Sequence, residues 1–406
     1  MTWMQRAIIF VAALSPTYLV RFHVLGIPTT IFEILILALA GATCARAMRH
    51  APSYCKKNCE IPRSMMIASA LFFFAGCISV FVAPNIYAAL GIWRAYIFDA
   101  MLFGLIAWLH FESFDEFKYL VIALSVSAAI VALVGVVQKF TGWGIPNPFW
   151  RAAATRRVTS IFGYPNAVGL YLELMLPFFV AMTVLIKKYR AWFIGVIITS
   201  LFAILFAESS GTIAALAVTA GLFFIAWRRT RWWMVGFGIV CVLVLALSPL
   251  RKSFADEFLL QGFSGRLRTQ MWKETVVMLK PRWVVGAGLA GYQTRVKPFH
   301  VFTWAEIYLY PHNLVLTLWS ELGLLGLASF IWIFSLMVVW MVHALQHGFF
   351  EQRVWAGSIL ATLSIIFIHG LVDIPYFKND FSALFWLLVA MSAFVRYTGR
   401  PTHEKK

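Results

Sequence analysis

Runs of 14 to 22 mainly apolar residues recur along this chain, separated by short polar breaks. Such lengths are close to the roughly 20 residues that cross about 30 Å of hydrocarbon as an α-helix. Twelve spans are expected, at about 7–20, 28–45, 64–82, 88–109, 119–138, 166–186, 191–207, 212–227, 232–250, 313–345, 354–372 and 381–397. The first is short and contains Pro16. The pattern predicts an all-α polytopic membrane protein. Helices 1–9 lie in residues 1–250, a long polar loop in 251–312, and helices 10–12 with a short tail in 313–406.

Composition agrees with this. Of 406 residues, 61% are hydrophobic and only 13% charged, against about 25% charged in soluble domains. The net charge of +17 is unevenly spread. With the N-terminus inside, 18 of the 34 basic residues fall in inward segments, nearly all of them short loops, as the positive-inside rule requires. Of the 16 facing out, four lie in loop 139–165 and nine in loop 251–311. Long loops are exempt from the rule, yet an outward basic excess calls for an anionic ligand. Membrane lipids are expected partners and nucleic acid is not.

The loop 251–311 has its own order. Residues 265–280 read as an amphipathic helix with Ser264 as N-cap and Pro281 as stop. Leu267, Met271, Thr275, Met278 and Leu279 share one side, while Arg266, Lys273 and Lys280 recur every seven residues on another. Lys273 and Lys280 suit lipid headgroups. Arg266, at the helix start beside Arg268, suits a phosphate, which free backbone N–H groups there also favour. Gly286, Gly288 and Gly291 follow; with no βαβ context they read as a tight turn or a close backbone approach, not a nucleotide loop.

His312 comes next, between Pro311 and Asn313 at the start of a hydrophobic helix. The positive end of the helix dipole favours the neutral ring there, and a neutral imidazole accepts protons. A histidine in such a place can also merely cap or pack. The downstream glycines favour the first role: a helix from 313 to 345 would be about 50 Å long, and Gly323 and Gly326 are natural bends that leave a first piece of about 15 Å at the outer boundary.

Loop 139–165 supplies a second cationic site, Arg151, Arg156 and Arg157, ahead of Gly163-Tyr164-Pro165-Asn166. Arg94 is a third candidate. The outward carboxylates Asp256, Glu257, Glu274, Glu306, Asp373 and Asp380 form no close pair and no metal-ligand spacing. Glu33, Asp99, Glu173 and Glu321 sit in apolar runs, as pathway groups or as buried partners. Five cysteines, none in an outward loop, give neither a disulfide framework nor a metal motif, and no cleavable signal is expected.

The ordered set His312-Asn313-x9-Gly323-x2-Gly326, with Gly265-Arg266 and Gly286-x-Gly288 before it and Arg157 with Gly163-Tyr164-Pro165-Asn166 far upstream, resembles the O-antigen ligase (WaaL) family within the O-antigen ligase and polymerase superfamily. The resemblance implies a metal-independent, cofactor-free, inverting glycosyltransferase of the GT-C type in the bacterial inner membrane, its active site facing the periplasm. It would move a glycan from undecaprenyl pyrophosphate to a sugar hydroxyl of lipid A–core. It implies catalytic roles for His312, Arg266 and Arg157, with Asn313, Arg156, Arg268 and Arg94 as binding residues. The alternatives are an O-antigen polymerase, a protein O-oligosaccharyltransferase, and a non-enzymatic flippase; the last would show inverted repeats, which are not found here.

Overall fold

The chain opens with α1, Trp3–Ala13, which starts at a reciprocal cap: the Thr2 side chain accepts from the Gln5 N–H and the Gln5 side chain accepts from the Thr2 N–H. It stops early because Pro16 supports only a 3₁₀ turn, Ser15–Leu19. The span expected at 7–20 is therefore an 11-residue helix and a turn, too short to cross hydrocarbon on its own. A hairpin of β1, Arg21–Val24, and β2, Ile27–Thr30, follows.

The computed structural model describes residues 1–24, 27–49, 62–226, 261–302 and 304–398. Among these residues nine helices are long and apolar enough to span a membrane: α2 (Ile31–Arg49), α3 (Arg63–Val82), α4 (Ile86–His110), α5 (Phe114–Thr141), α6 (Pro165–Leu185), α7 (Lys187–Ala207) and, after two shorter helices, the last three. The shorter ones are α8 (Ser210–Ala226) and the amphipathic α9 (Phe263–Leu279). The last three are α10 (Leu314–His347), α11 (Phe350–Gly370) and α12 (Asn379–Thr398). Each of the nine matches an expected span. The run at 212–227 becomes α8 with 17 residues. The span expected at 232–250 and the loop residues 251–260 lie outside the described residues.

α12 is the most enclosed span, packed against α4 and α10. Its Phe385 stacks on Phe330 of α10 at 4.9 Å. Tyr376, from the connection 371–378 between α11 and α12, enters the same aromatic core, edge-on to Phe330 and Phe385. Its hydroxyl donates to the Tyr96 carbonyl at 2.9 Å and accepts from Trp386 Nε1 at 3.2 Å. The connection is thereby pinned from below.

α9 begins at Phe263 with Gly262 as its cap and no side-chain cap bond, so Ser264 lies inside the first turn instead of before it. Leu267, Met271, Thr275, Met278 and Leu279 are buried as the pattern predicts, and Arg266, Lys273 and Lys280 are exposed.

α10 is broken where expected, at Gly323, with φ 68° and ψ −173°. A helix would bond the Leu324 N–H to the Ser320 carbonyl. Here the Leu324 N–H donates to Val284 O at 2.8 Å, and Ser320 O accepts from the Ala287 N–H at 2.6 Å. Residues 284–287 thus splice themselves into the ladder of α10. Only glycine serves at the crossing, since a Cβ on Gly286 would lie 2.5 Å from the Ser320 and Trp319 carbonyls and one on Gly323 2.5 Å from Val284 O. Gly326 remains helical and makes room for the Leu322 side chain.

Candidate active site

Pro311, His312 and Asn313 are fixed from two sides. Trp272 of α9 donates its indole N–H to the Pro311 carbonyl at 2.9 Å. Asn313 is the N-cap of α10: its Oδ1 accepts from the Leu316 N–H at 3.0 Å and its Nδ2 donates to Leu371 O at 2.9 Å. His312 between them adopts φ 49°, an uncommon conformation for a residue with a side chain. Its ring meets Tyr308 edge-on at 5.3 Å.

The contact with Leu371 brings the start of α10 against the connection 371–378. There Asp373 Oδ1 lies 3.1 Å from His312 Nδ1 and accepts from the Ile374 N–H at 2.9 Å. Asp373 Oδ2 accepts from Asn166 Nδ2 at 3.3 Å. Asn166 Oδ1 in turn accepts from Arg157 Nη2 at 3.3 Å. Arg157, Asn166, Asp373 and His312 form one continuous relay drawn from three segments far apart in sequence. The imidazole is 29% exposed and the carboxylate 7%. With Nδ1–H directed at the carboxylate, the lone pair is on Nε2, where the ring can take a proton.

Burial alone would raise the Asp373 carboxyl. The charge and hydrogen bond of His312, with the charges of His369 and Arg268, outweigh burial and hold it well below the usual carboxylate range. Behind it, His369 Nδ1 pairs with Glu173 Oε1 at 2.6 Å, and His369 Nε2 is 4.0 Å from Asp373 Oδ2.

The cationic candidates separate into distinct positions. Arg157 caps the end of α7, donating from Nε to Ala207 O and from Nη2 to Glu208 O, each at 3.0 Å. Its neighbour Arg156 points elsewhere and holds the carbonyls of Lys139, Phe140 and Arg151 at 3.1–3.2 Å. Arg94 pairs with Glu33 at 2.6 Å and the Pro28 carbonyl at 2.7 Å, in a cluster with Asn379. Arg266 and Arg268 stand two residues apart on α9, about 200° around the helix. Arg266 is exposed; Arg268 is half-buried, and its charge acts on Asp373, His369 and Tyr308. Of the two, Arg268 is the one on the His312 side.

Asp373 as the partner of His312, and Asn166 as the bridge to Arg157, were not legible in the sequence. The only hint was the outward position of Asp373, four residues after His369. The carboxylates in apolar runs have partners: Glu33 has Arg94, Glu173 has His369, and Glu321 accepts from the Ala290 N–H at 2.7 Å. Asp99 lies 3.9 Å from Arg94. Among the described residues no group of three or more His, Cys, Asp or Glu is arranged to hold a metal ion.

The segment that carries His312, Arg266, Arg268 and the glycine splice also matches a known family. Residues 170–331 match the O-antigen ligase family model. The match takes in His312-Asn313, Gly323 and Gly326, the motif on which the family resemblance rests. It supports O-antigen ligase or polymerase-type activity, and with the nine apolar helices it supports a multi-pass membrane protein. The matched region begins after Arg157 and Asn166 and ends before Asp373, so three of the four relay residues, all but His312, come from outside it. No curated protein matches the chain.

Proposed function

We propose that this protein is an O-antigen ligase, transferring a glycan from undecaprenyl pyrophosphate to a sugar hydroxyl of lipid A–core on the periplasmic side of the inner membrane. The observation that carries this reading is the His312–Asp373 pair at 3.1 Å, its imidazole partly exposed over a buried carboxylate and flanked by arginines, within reach of both a lipid headgroup and a large outside acceptor.

In the reaction, His312 Nε2 takes the proton of the acceptor hydroxyl as its oxygen attacks the anomeric carbon. The bond from that carbon to the pyrophosphate oxygen breaks from the opposite face, so configuration inverts and polyprenyl pyrophosphate leaves with its electron pair. Asp373 holds the ring in the correct tautomer and stabilises the imidazolium that forms, a base contribution of about 10²–10⁴ in rate. Negative charge grows on the leaving pyrophosphate, and Arg268 and Arg266 meet it as fixed cations. Arg157 adds charge and holds Asn166 against Asp373. No metal is required in this scheme.

Transfer by the purified full-length protein tests the reading. Labelled polyprenyl-pyrophosphate glycan is offered with lipid A–core, without ATP, an ion gradient or divalent ions. Labelled lipid A–core is the expected product. Elongation of a second lipid-linked glycan instead would identify a polymerase, and absence of any transfer would remove the enzymatic reading.

A further inference from the structure

Lys378 ends the connection that carries Asp373, and its ammonium is packed among four aromatic rings. Nζ lies 4.4 Å from the centre of Phe162, 4.6 Å from Phe381, 5.1 Å from Tyr18 and 5.6 Å from Tyr164. Among the described residues the buried Nζ has no hydrogen-bond acceptor within reach, and Asp380 Oδ2 lies 3.9 Å away. Burying an ammonium in this way is unfavourable, and cation–π attraction offsets part of the cost. An apolar residue would fill the basket without that cost, so the charge itself is what needs explaining.

Position supplies the explanation. Phe162 and Tyr164 flank Gly163 in the segment that also carries Arg157 and Asn166, whereas Lys378 follows Asp373 on the opposing connection. The ring basket therefore joins the same two segments as the Asn166–Asp373 hydrogen bond, in parallel with it. Tyr18 adds a third segment, the 3₁₀ turn after α1. The charges facing Lys378 are Asp373 and Asp380 from its own side and Arg21 from β1; burial lowers its ammonium toward neutrality and the two carboxylates oppose that. Those facing Asp373 are Lys378, His312, His369 and Arg268, with Glu173 as a second carboxylate behind it.

We propose that Lys378 is a positioning residue for glycan transfer: held by its ring basket, it sets the spacing of Asn166 and Asp373 and the charge balance at Asp373 against which His312 works. This inference rests on the reading of His312 as the base. Removing one cation from the set makes the His312 imidazolium easier to form. A base acts only when unprotonated, so the acid limb of the rate then moves to higher pH.

The test uses Lys378→Met, which keeps length and loses charge, with Lys378→Arg and Tyr164→Leu, in the purified full-length protein. For Lys378→Met, kcat should fall about tenfold with both KM values within about twofold, and the acid limb should rise by about half a pH unit. Lys378→Arg should restore most of the rate and the original limb. Tyr164→Leu, at the rim of the basket, loosens the cage but leaves the charge; it should lower kcat with the limb unmoved. An unshifted limb and wild-type kcat in Lys378→Met overturn the proposal, as does an Arg variant as slow as Met. If the Met variant does not fold, wild-type kcat in Tyr164→Leu overturns it. His312→Ala separates the two levels: an active His312→Ala protein defeats the base reading itself, whereas an inactive one beside a normal Lys378→Met defeats only the role of Lys378.

Discussion

His312 and Asp373 meet at 3.1 Å across 61 positions of sequence, and the carboxylate oxygen that His312 does not use is the one bound to Asn166. Each residue that orients the base is therefore itself oriented. His312→Ala should abolish transfer while the protein still inserts and purifies normally. Asp373→Asn keeps the shape but loses the charge that stabilises the imidazolium, and should slow transfer by roughly 10²-fold or more. Single-turnover rates with saturating donor measure both, and an Asp373→Asn protein at full rate would reduce the pair to packing.

Arg268 should matter more than Arg266. The former faces the side of Asp373 and the latter is exposed. Arg268→Ala should raise the donor KM or lower kcat about tenfold or more, Arg266→Ala less, and Lys at 268 should rescue only in part because it lacks the planar fork. Equal losses at the two positions would mean that a diffuse field acts instead of a placed cation.

Gly323→Ala forces a side chain into a left-handed conformation and against the Val284 carbonyl. The backbone term alone costs about 1 kcal/mol or more. The melting temperature in detergent should drop by several degrees, with activity lost in proportion to the unspliced loop. A stable, active Ala variant would show that the splice is dispensable.

The Glu274–His300 contact should be sensitive to pH in both directions. His300 Nδ1 faces Glu274 Oε2 at 3.0 Å and His300 Nε2 faces the Ala305 carbonyl at 3.0 Å, so both ring nitrogens face acceptors and the charged ring suits the site. The Glu274 bond raises the pKa of His300. This stabilisation is present below the ordinary histidine value and is lost as pH rises through the raised one. For Glu274, burial raises the carboxyl, but bonds from the Val301 N–H, His300 and Gln270 bring it below its usual value. Its contribution is present above that usual value and is lost as pH falls through the lowered one. Protection of the Val301 amide, corrected for intrinsic exchange, should therefore be greatest at mildly acidic to neutral pH. His300→Gln should erase the alkaline loss, and a flat profile would contradict the assignment.

Ser264 and Ala153 are both exposed on the two basic loops. Cysteines placed at each should react with an impermeant thiol reagent added from the periplasmic side, while native Cys55 should not. Reaction at only one of them would put the loop of Arg157 and the loop leading to His312 on opposite sides of a membrane, which the relay through Asn166 and Asp373 does not permit.

The nine long helices were legible because a span announces itself in a continuous apolar run, and Gly323 because only a glycine pair interrupts α10. Failures came where partners are distant or where neighbours diverge. Nothing in the neighbouring letters Arg156 and Arg157 says that one caps α5 and the other α7. Asp373 reads as one outward carboxylate among several until the fold carries it to His312. Gly286 announced close approach but not its target, because the Ser320 carbonyl it approaches is freed only once α10 has broken.

That break has a consequence for anyone exchanging parts between such enzymes to alter the glycan they accept. Because Val284 and Ala287 complete the hydrogen bonding of Leu324 and Ser320, adding or deleting one residue between 284 and 287 would shift the register of both bonds at once. Residues 283–326 are therefore inherited as one block, and a graft must carry the loop and the first third of its membrane helix together.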